Sequence, residues 1–148
     1  MFQIVRTLRT DLHTIWLSSV KHILIVDNDL RFVFWICQVL DEAGYETVPA
    51  TGVPEAVAAL AELDIWVDVL MVRRTLTGAD AFVAELRALQ RGNLKAIALI
   101  NEHDEQSESI AAWDGWQIKL NVSEAIARRI FLSLVQTALT SGTTAPTI

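Results

Sequence analysis

Residues 22–29 read HILIVDND, and this stretch sets a pattern that recurs along the chain. The run His22–Val26 is apolar after its first residue and predicts a short strand buried on both faces. The polar turn 27–29 ends the strand, and Leu30–Ala43 follows with the apolar spacing of a helix that stops at Gly44. A buried strand, a polar turn and a helix form the repeating unit of a parallel sheet.

The same unit recurs towards the end of the sequence. Further strands are predicted over Tyr45–Pro49, Val67–Val72, Ala96–Ile100 and Trp116–Lys119. Further helices are predicted over Pro54–Leu63, Ala81–Gln90, a short stretch Ser107–Trp113, and a last helix that starts at Asn121, in a capping box with Glu124, and runs to about Leu139. We therefore expect an α/β fold, a doubly wound five-stranded parallel sheet with helices on both faces.

The 148 residues suit one domain with a sizeable core. We predict that this domain covers residues 21–140, that residues 141–148 form a flexible tail, and that residues 1–20 add an N-terminal amphipathic helix. The apolar stripe of that helix recurs at spacings of three and four and comprises Val5, Leu8, Leu12, Ile15 and Trp16. A single helix cannot bury its own stripe, so it must pack on the domain, pair with a second copy or dock on a partner; we favour the last two.

The composition argues against several classes of function. The net charge is −6, and the only close basic pairs are Arg73-Arg74 and Arg128-Arg129, which disfavours nucleic-acid binding. No apolar run reaches the roughly 20 residues that span a bilayer. Charged residues also interrupt the N-terminal stretch that a signal peptide keeps apolar. We therefore expect a cytoplasmic protein without membrane association.

Reactive side chains are few and scattered. Cys37 lies in an apolar helical stretch and is expected to be buried filler. His13, His22 and His103 have no metal-ligand spacing. The sequence also has no Ser/His/Asp set and no glycine-rich phosphate loop, so we expect no enzyme activity, no cofactor and no metal.

Polar side chains follow the predicted strands at the carboxyl edge of the sheet, where such folds form their functional cleft. These side chains are Asp27, Asn28, Asp29, Arg73, Asn101 and Lys119. Asp68 instead begins the third strand, and we expect it to have a structural role.

Over roughly residues 22–139 the chain resembles the response-regulator receiver family, whose fold is that of chemotaxis regulators. The resemblance rests on the order and spacing of the segments ILIVDND, AGYETVPATGVPEAVAAL, DVLMVRRTLTGADAF, IALIN and WQIKL. It implies a flavodoxin-like topology and a role in two-component signal transduction in bacteria.

The resemblance also implies a phosphorylation pocket, from which this sequence departs. A receiver uses an aspartate at the end of the third strand as phosphoacceptor, with Mg²⁺ and a hydroxyl nearby. Arg73 stands at the acceptor position, Asn28 at an acidic position and Asn101 at the hydroxyl position, whereas Asp27 and Lys119 are kept. Arginine has no usable lone pair, and its charge would repel a cation. We therefore expect a pseudo-receiver with a degenerate pocket, acting without phosphorylation through protein–protein contact.

Two structural arrangements are open for Arg73. It can form a bidentate pair with Asp27 or Asp29, so that a fixed cation replaces the metal, or it can point into solvent. Two functional alternatives also remain. The chain can be a receiver phosphorylated at a non-standard aspartate, or a small-anion sensor that uses Arg73 and Lys119.

Receivers signal through a face made by the fourth helix, fifth strand and fifth helix. Trp113 and Trp116 fall near that face and are candidate interface residues, because tryptophan is enriched at binding hot spots. Leu8, Leu12 and Trp16 of the N-terminal stripe complete the candidate interface. The expected partner is a protein of a signalling pathway, and either surface could also form a homodimer.

Overall fold

The computed structural model describes residues 20–90, 93–101, 104, 113–119 and 123–141, which form five strands and four helices. In chain order they are β1 (His22–Val26), α1 (Leu30–Glu42), β2 (Glu46–Ala50), α2 (Val53–Leu63), β3 (Val69–Arg73), α3 (Ala79–Leu89), β4 (Lys95–Asn101), β5 (Gly115–Lys119) and α4 (Glu124–Ser141). Residues 1–19 of the predicted N-terminal helix, residues 142–148 of the predicted tail and nearly all of the predicted helix Ser107–Trp113 lie outside the described residues. Ser141, which was assigned to the tail, is instead the last residue of α4.

The strands form one parallel sheet in the order β2-β1-β3-β4-β5. This order is that of flavodoxin-like, doubly wound folds. The predicted α/β class, with a parallel sheet and packed helices, is confirmed. Because all strands run the same way, the residues that end β1, β3, β4 and β5 meet at one edge of the sheet.

The core lies on both faces of this sheet because side chains alternate along each strand. Leu24 and Val26 of β1 pack in a cluster with residues of α2 and α3. Ile23 and Ile25 face the other way, into a cluster with residues of α1 and α4. All four are fully buried, and each such side chain stabilises the fold by about 1.5–3 kcal/mol relative to exposure.

Local chemistry explains where α1 begins and ends. Asp29 caps the helix, since its side chain accepts a hydrogen bond from the Phe32 backbone N–H. Gly44 follows the helix with φ of +99°, a left-handed conformation that glycine adopts without strain. The Tyr45 N–H then donates to the Leu40 carbonyl, as in a Schellman motif. The predicted stop at Gly44 is confirmed.

The strand β3 begins two residues later than the sequence pattern predicted. Gln90, which is buried, donates from Nε2 to the Val67 carbonyl at 2.7 Å and accepts from the Val67 N–H at 2.9 Å. This side chain therefore satisfies both backbone groups of Val67 in place of a strand. The adjacent Asp68 accepts from the His22 N–H at 2.9 Å, which fixes the amino end of β1 and gives Asp68 the expected structural role.

The last helix also differs at its start. We predicted that it would begin at Asn121, which lies outside the described residues, whereas α4 begins at Glu124. Ser123 caps it instead, and its Oγ accepts from the Ile126 N–H at 3.4 Å. None of the helices in the described part of the chain is both long and apolar enough to cross a membrane.

Candidate functional site

A buried ion pair lies at the carboxyl edge of the sheet. Asp27 directly follows β1 and its side chain is fully buried. Lys119, the last residue of β5, donates from Nζ to Asp27 Oδ2 at 2.8 Å, and only 10% of its side chain is exposed. The other carboxylate oxygen, Oδ1, accepts from the Asp29 N–H at 2.9 Å. Both oxygens of Asp27 are therefore engaged within the domain.

Two further groups hold the Lys119 ammonium in place. Asp29 Oδ2 lies 3.7 Å from Nζ, at the rim, where the Asp29 side chain is 47% exposed. The Phe32 ring lies below the ammonium, with Nζ 4.5 Å from its centroid, which is cation–π distance. Lys119 is thus surrounded by two carboxylates and one aromatic face, all supplied by the segment that starts α1.

Arg73 ends β3 at the same edge, and its guanidinium is held by neighbouring side chains. Its Nε donates to Thr75 Oγ1 at 3.0 Å, and its Nη1 donates to Asn28 Oδ1 at 3.2 Å. Its Nη2 lies 3.9 Å from Asp104 Oδ1. Only 21% of the Arg73 side chain is exposed, so this position is a fixed cation near the turn after β1.

Both arrangements considered for Arg73 are therefore wrong. Among the described residues, Arg73 makes no ion pair with Asp27 or Asp29, and it does not point freely into solvent. The physical reason is that Lys119 already neutralises Asp27, so the guanidinium takes the neutral Asn28 amide and the outer carboxylate of Asp104.

Asp104 and Phe32 are two site residues that sequence reasoning missed. Asp104 accepts from the Asn101 N–H at 2.9 Å through Oδ2, while Oδ1 faces Arg73. It thereby links the end of β4 to the end of β3. No spacing or motif marks it, because it lies three residues beyond a strand whose exact end the pattern does not fix. Phe32 was missed for a different reason, since its apolar character indicates only a core position.

The described residues do not fit the Mg²⁺ ion that the receiver resemblance implies. Mg²⁺ requires several free oxygen ligands, chiefly carboxylates. Here an ammonium occupies Asp27 and a guanidinium faces Asp104. In the part of the chain that the structure describes, no cluster of three or more His, Cys, Asp or Glu side chains could hold a metal ion.

Only one of the candidate interface residues, Trp113, has a side chain in the described part of the chain. Trp113 was expected near an exposed face, but its side chain is buried in the core and only 7% exposed. Its indole Nε1 donates to Asp80 Oδ1 at 3.2 Å, which satisfies the polar end of the ring and makes Trp113 a packing residue. The backbone of Trp116 lies in β5, opposite Ala98, and its side chain is outside the described part. Leu8, Leu12 and Trp16 also lie outside the described residues.

Comparisons with solved structures identify the fold. The chain is similar to a response regulator receiver domain protein from Clostridium thermocellum, with a TM-score of 0.67 and 16% identity over 84% of this chain and 98% of that one. It is similar to the chemotaxis response regulator CheY4 of Vibrio cholerae, with a TM-score of 0.66 and 22% identity over 81% and 99%.

A third similar structure is the response regulator TrrA of Thermotoga maritima, solved in complex with Mg²⁺-BeF, with a TM-score of 0.58 and 22% identity over 75% and 96%. No protein-family model and no curated protein matches the chain. At these identities the likeness establishes the receiver fold, and the chemistry of the site must be argued from its own residues.

Proposed function

We propose that this chain is a pseudo-receiver of two-component signal transduction, which acts through protein–protein contact and without phosphorylation or any enzymatic activity. The observation that carries the proposal is the placement of Arg73 at the carboxyl end of β3, in a receiver fold, with its guanidinium held by Asn28, Thr75 and Asp104. A protonated guanidinium cannot act as the nucleophile towards a phosphoryl donor.

The charges around this position support the proposal. A receiver that carries Mg²⁺ and phosphate needs anionic oxygens free to bind the metal. Here the guanidinium of Arg73 occupies the end of β3 and faces the Asp104 carboxylate. Two unit charges about 4 Å apart repel by roughly 4 kcal/mol at an effective dielectric of 20, so a divalent cation placed beside Arg73 is disfavoured.

A non-standard phosphoacceptor is the first competing function. Asp27 is a poor candidate because it is fully buried and both of its oxygens accept hydrogen bonds. Asp29 is the more accessible carboxylate, although its Oδ1 caps α1. Any phosphorylation of this chain at the edge of the sheet is therefore expected at Asp29.

A small-anion sensor is the second competing function. It would need cationic groups free to receive an anion. Lys119 is already neutralised by Asp27, and all three guanidinium nitrogens of Arg73 already face oxygen atoms of the domain. An anion would have to displace these contacts, so this function is less well supported.

The proposed mode of action follows from the same contacts. In receivers that are phosphorylated, the state of the pocket is set by the phosphoryl group. In this chain, internal ion pairs bridge β1, β3, β4 and β5 at the edge. We infer that they hold the domain in one state, so that it presents a constant surface to a protein partner in the cytoplasm.

The proposal is tested by incubating the full chain with acetyl phosphate and Mg²⁺ and measuring its intact mass. The unmodified protein is expected to gain no phosphoryl group. Arg73→Asp restores a carboxylate at the end of β3, and Arg74→Asp, one residue further on, is the matched control with the same change of charge. Only Arg73→Asp is expected to gain mass if this position alone silences the site.

Two other results of this experiment have different consequences for the proposal. If neither variant is phosphorylated, the pocket is altered at further positions such as Asn28 and Asn101, and the pseudo-receiver function stands. If the unmodified chain is phosphorylated, the proposal is wrong. Asp29→Asn and Asp27→Asn then identify the acceptor.

A further inference from the structure

An apolar groove lies between α2 and α3, on the face of the sheet away from α1 and α4. It has a volume of about 410 Å³ and is lined mainly by apolar side chains. Three of its lining residues are among the largest exposed hydrophobic side chains of the described structure: Val57 is 52% exposed, Trp66 is 49% exposed and Leu89 is 75% exposed. Exposed apolar side chains that cluster in this way mark a surface that another segment or protein covers.

The groove opens towards the edge of the sheet where the N-terminal segment joins the domain. Trp66 follows α2 and Leu89 ends α3, so both lie at the amino edge of the sheet, where β1 starts. The Asp68 N–H donates to the His22 carbonyl at 2.9 Å, which ties this edge to the start of β1. Ile65 lines the groove and also lines a cleft together with His22.

The segment that precedes His22 has a complementary pattern. Its sequence carries the apolar stripe of Val5, Leu8, Leu12, Ile15 and Trp16. As a helix, Leu8 to Trp16 would span about 12 Å, close to the ~10 Å from Val57 to Asp64 along α2. Six chain steps separate Trp16 from His22 and can cover at most about 20 Å, enough to turn back along the groove.

Charge agrees with this pairing. The groove is bordered by Asp64 and by the exposed Glu85, and both are acidic. The N-terminal segment carries Arg6 and Arg9 against a single acidic residue, Asp11, so its charge is weakly positive. Opposite charges at the rim would orient the segment, whereas the apolar side chains supply the burial.

Other exposed apolar side chains are less accessible to this segment. Leu30 and Phe34 lie in the first two turns of α1 and Ile126 lies in the first turn of α4, towards the carboxyl edge of the sheet. That edge is opposite the one where the chain enters β1. The segment would have to cross the length of the domain to reach it.

The sequence favoured a second copy or a partner as the binding surface for this stripe, but the exposed groove offers a surface within the domain. We propose that the groove between α2 and α3 binds the apolar stripe of residues 5–16 of the same chain. The stripe then occupies the surface formed by Val57, Trp66 and Leu89. This inference is independent of the phosphorylation state of the domain, so it stands or falls separately from the proposed function.

The test is paramagnetic relaxation enhancement in the full chain. A nitroxide is attached at Thr10→Cys, on the side of the predicted helix away from the stripe, in a Cys37→Ser background. The methyl resonances of Val57 and Leu89 are expected to broaden, whereas those of Leu30 and Ile126 are not. In addition, Leu12→Asp, within the stripe, should abolish the broadening, and the neighbouring off-stripe His13→Asp should leave it intact.

Isotope mixing separates binding within one chain from binding between copies. Isotope-labelled chains without nitroxide are mixed with unlabelled chains that carry it, and no broadening is expected. Broadening in this mixture would assign the groove to a second copy and overturn the proposal. Broadening at Leu30 and Ile126, or equal spectra for the Leu12→Asp and His13→Asp variants, would also overturn it.

Discussion

Replacing Lys119 by methionine should destabilise the fold strongly, because it leaves the Asp27 carboxylate buried without its cation. Asp27 is fully buried, and Lys119 supplies the 2.8 Å bond to its Oδ2. Removal of one partner of a buried ion pair costs about 3–5 kcal/mol. The expected loss lies at the lower end of this range, about 3–4 kcal/mol, because the Asp29 N–H still donates to Asp27 Oδ1 in the variant.

This loss is readily measured by urea unfolding at pH 7. Small domains have total stabilities of about 5–15 kcal/mol, and an m-value near 2 kcal/mol per molar urea converts the loss into a midpoint shift of roughly 1.5–2 M. Lys119→Met combined with Asp27→Asn should be less destabilised than Lys119→Met alone.

The matched control is Arg128→Met, which breaks the ion pair between Arg128 and Glu42. That pair has a similar distance, 2.9 Å, but its side chains are 37% and 53% exposed. Exposed pairs are screened by water and contribute little to stability, so the midpoint should move little. A Lys119→Met shift no larger than that of Arg128→Met would refute the reasoning that burial, and not proximity alone, makes the Asp27–Lys119 pair important.

Three further predictions concern other parts of the domain. Gln90→Ala removes the side-chain partner of both backbone groups of Val67. Urea unfolding should then show a free energy of unfolding lower by about 2–4 kcal/mol. A change below about 1 kcal/mol would mean that water replaces the amide. Gly44→Ala should lower the free energy of unfolding by about 1 kcal/mol, because Gly44 has a φ of +99°. The added methyl group would meet no atom within 4 Å, so a steric clash does not contribute. An unchanged melting temperature would contradict this conformational origin. Burial raises the pKa of the half-buried Cys37 thiol, so its alkylation at pH 8 should be slower than that of glutathione and should accelerate in urea; equal rates would show that the thiol is accessible.

The alternation of strands and helices was predictable because each element carries its own local signal. The run Ile23–Val26 is apolar throughout, Gly44 provides a helix stop, and Pro54 lies in the first turn of α2. Local signals were weaker at element ends. The start of β3 was misplaced because Gln90, twenty-three residues from Val67 in sequence, completes the hydrogen bonds of Val67.

The candidate site was predictable as a set of residues but not as a set of contacts. Parallel strands bring Asp27, Arg73, Asn101 and Lys119 to one edge, and the order of the segments indicated this. Which cation pairs with Asp27 depends on how deeply each side chain is buried and on the distance between side chains on different strands. Trp113 could not be placed either, because a tryptophan in a weakly patterned segment can lie in the core or at a surface with equal ease.

The sequence by itself therefore determined the α/β class, the order of the elements and the cation at the end of the third strand, because these follow from periodicity, turn residues and residue identity. Only the tertiary structure decided that Lys119 neutralises Asp27 and that Arg73 bonds to Asn28, Thr75 and Asp104. The physical reason is that an ion pair depends on distances between side chains and on their burial. Both are set by the register and packing of strands that are far apart along the chain.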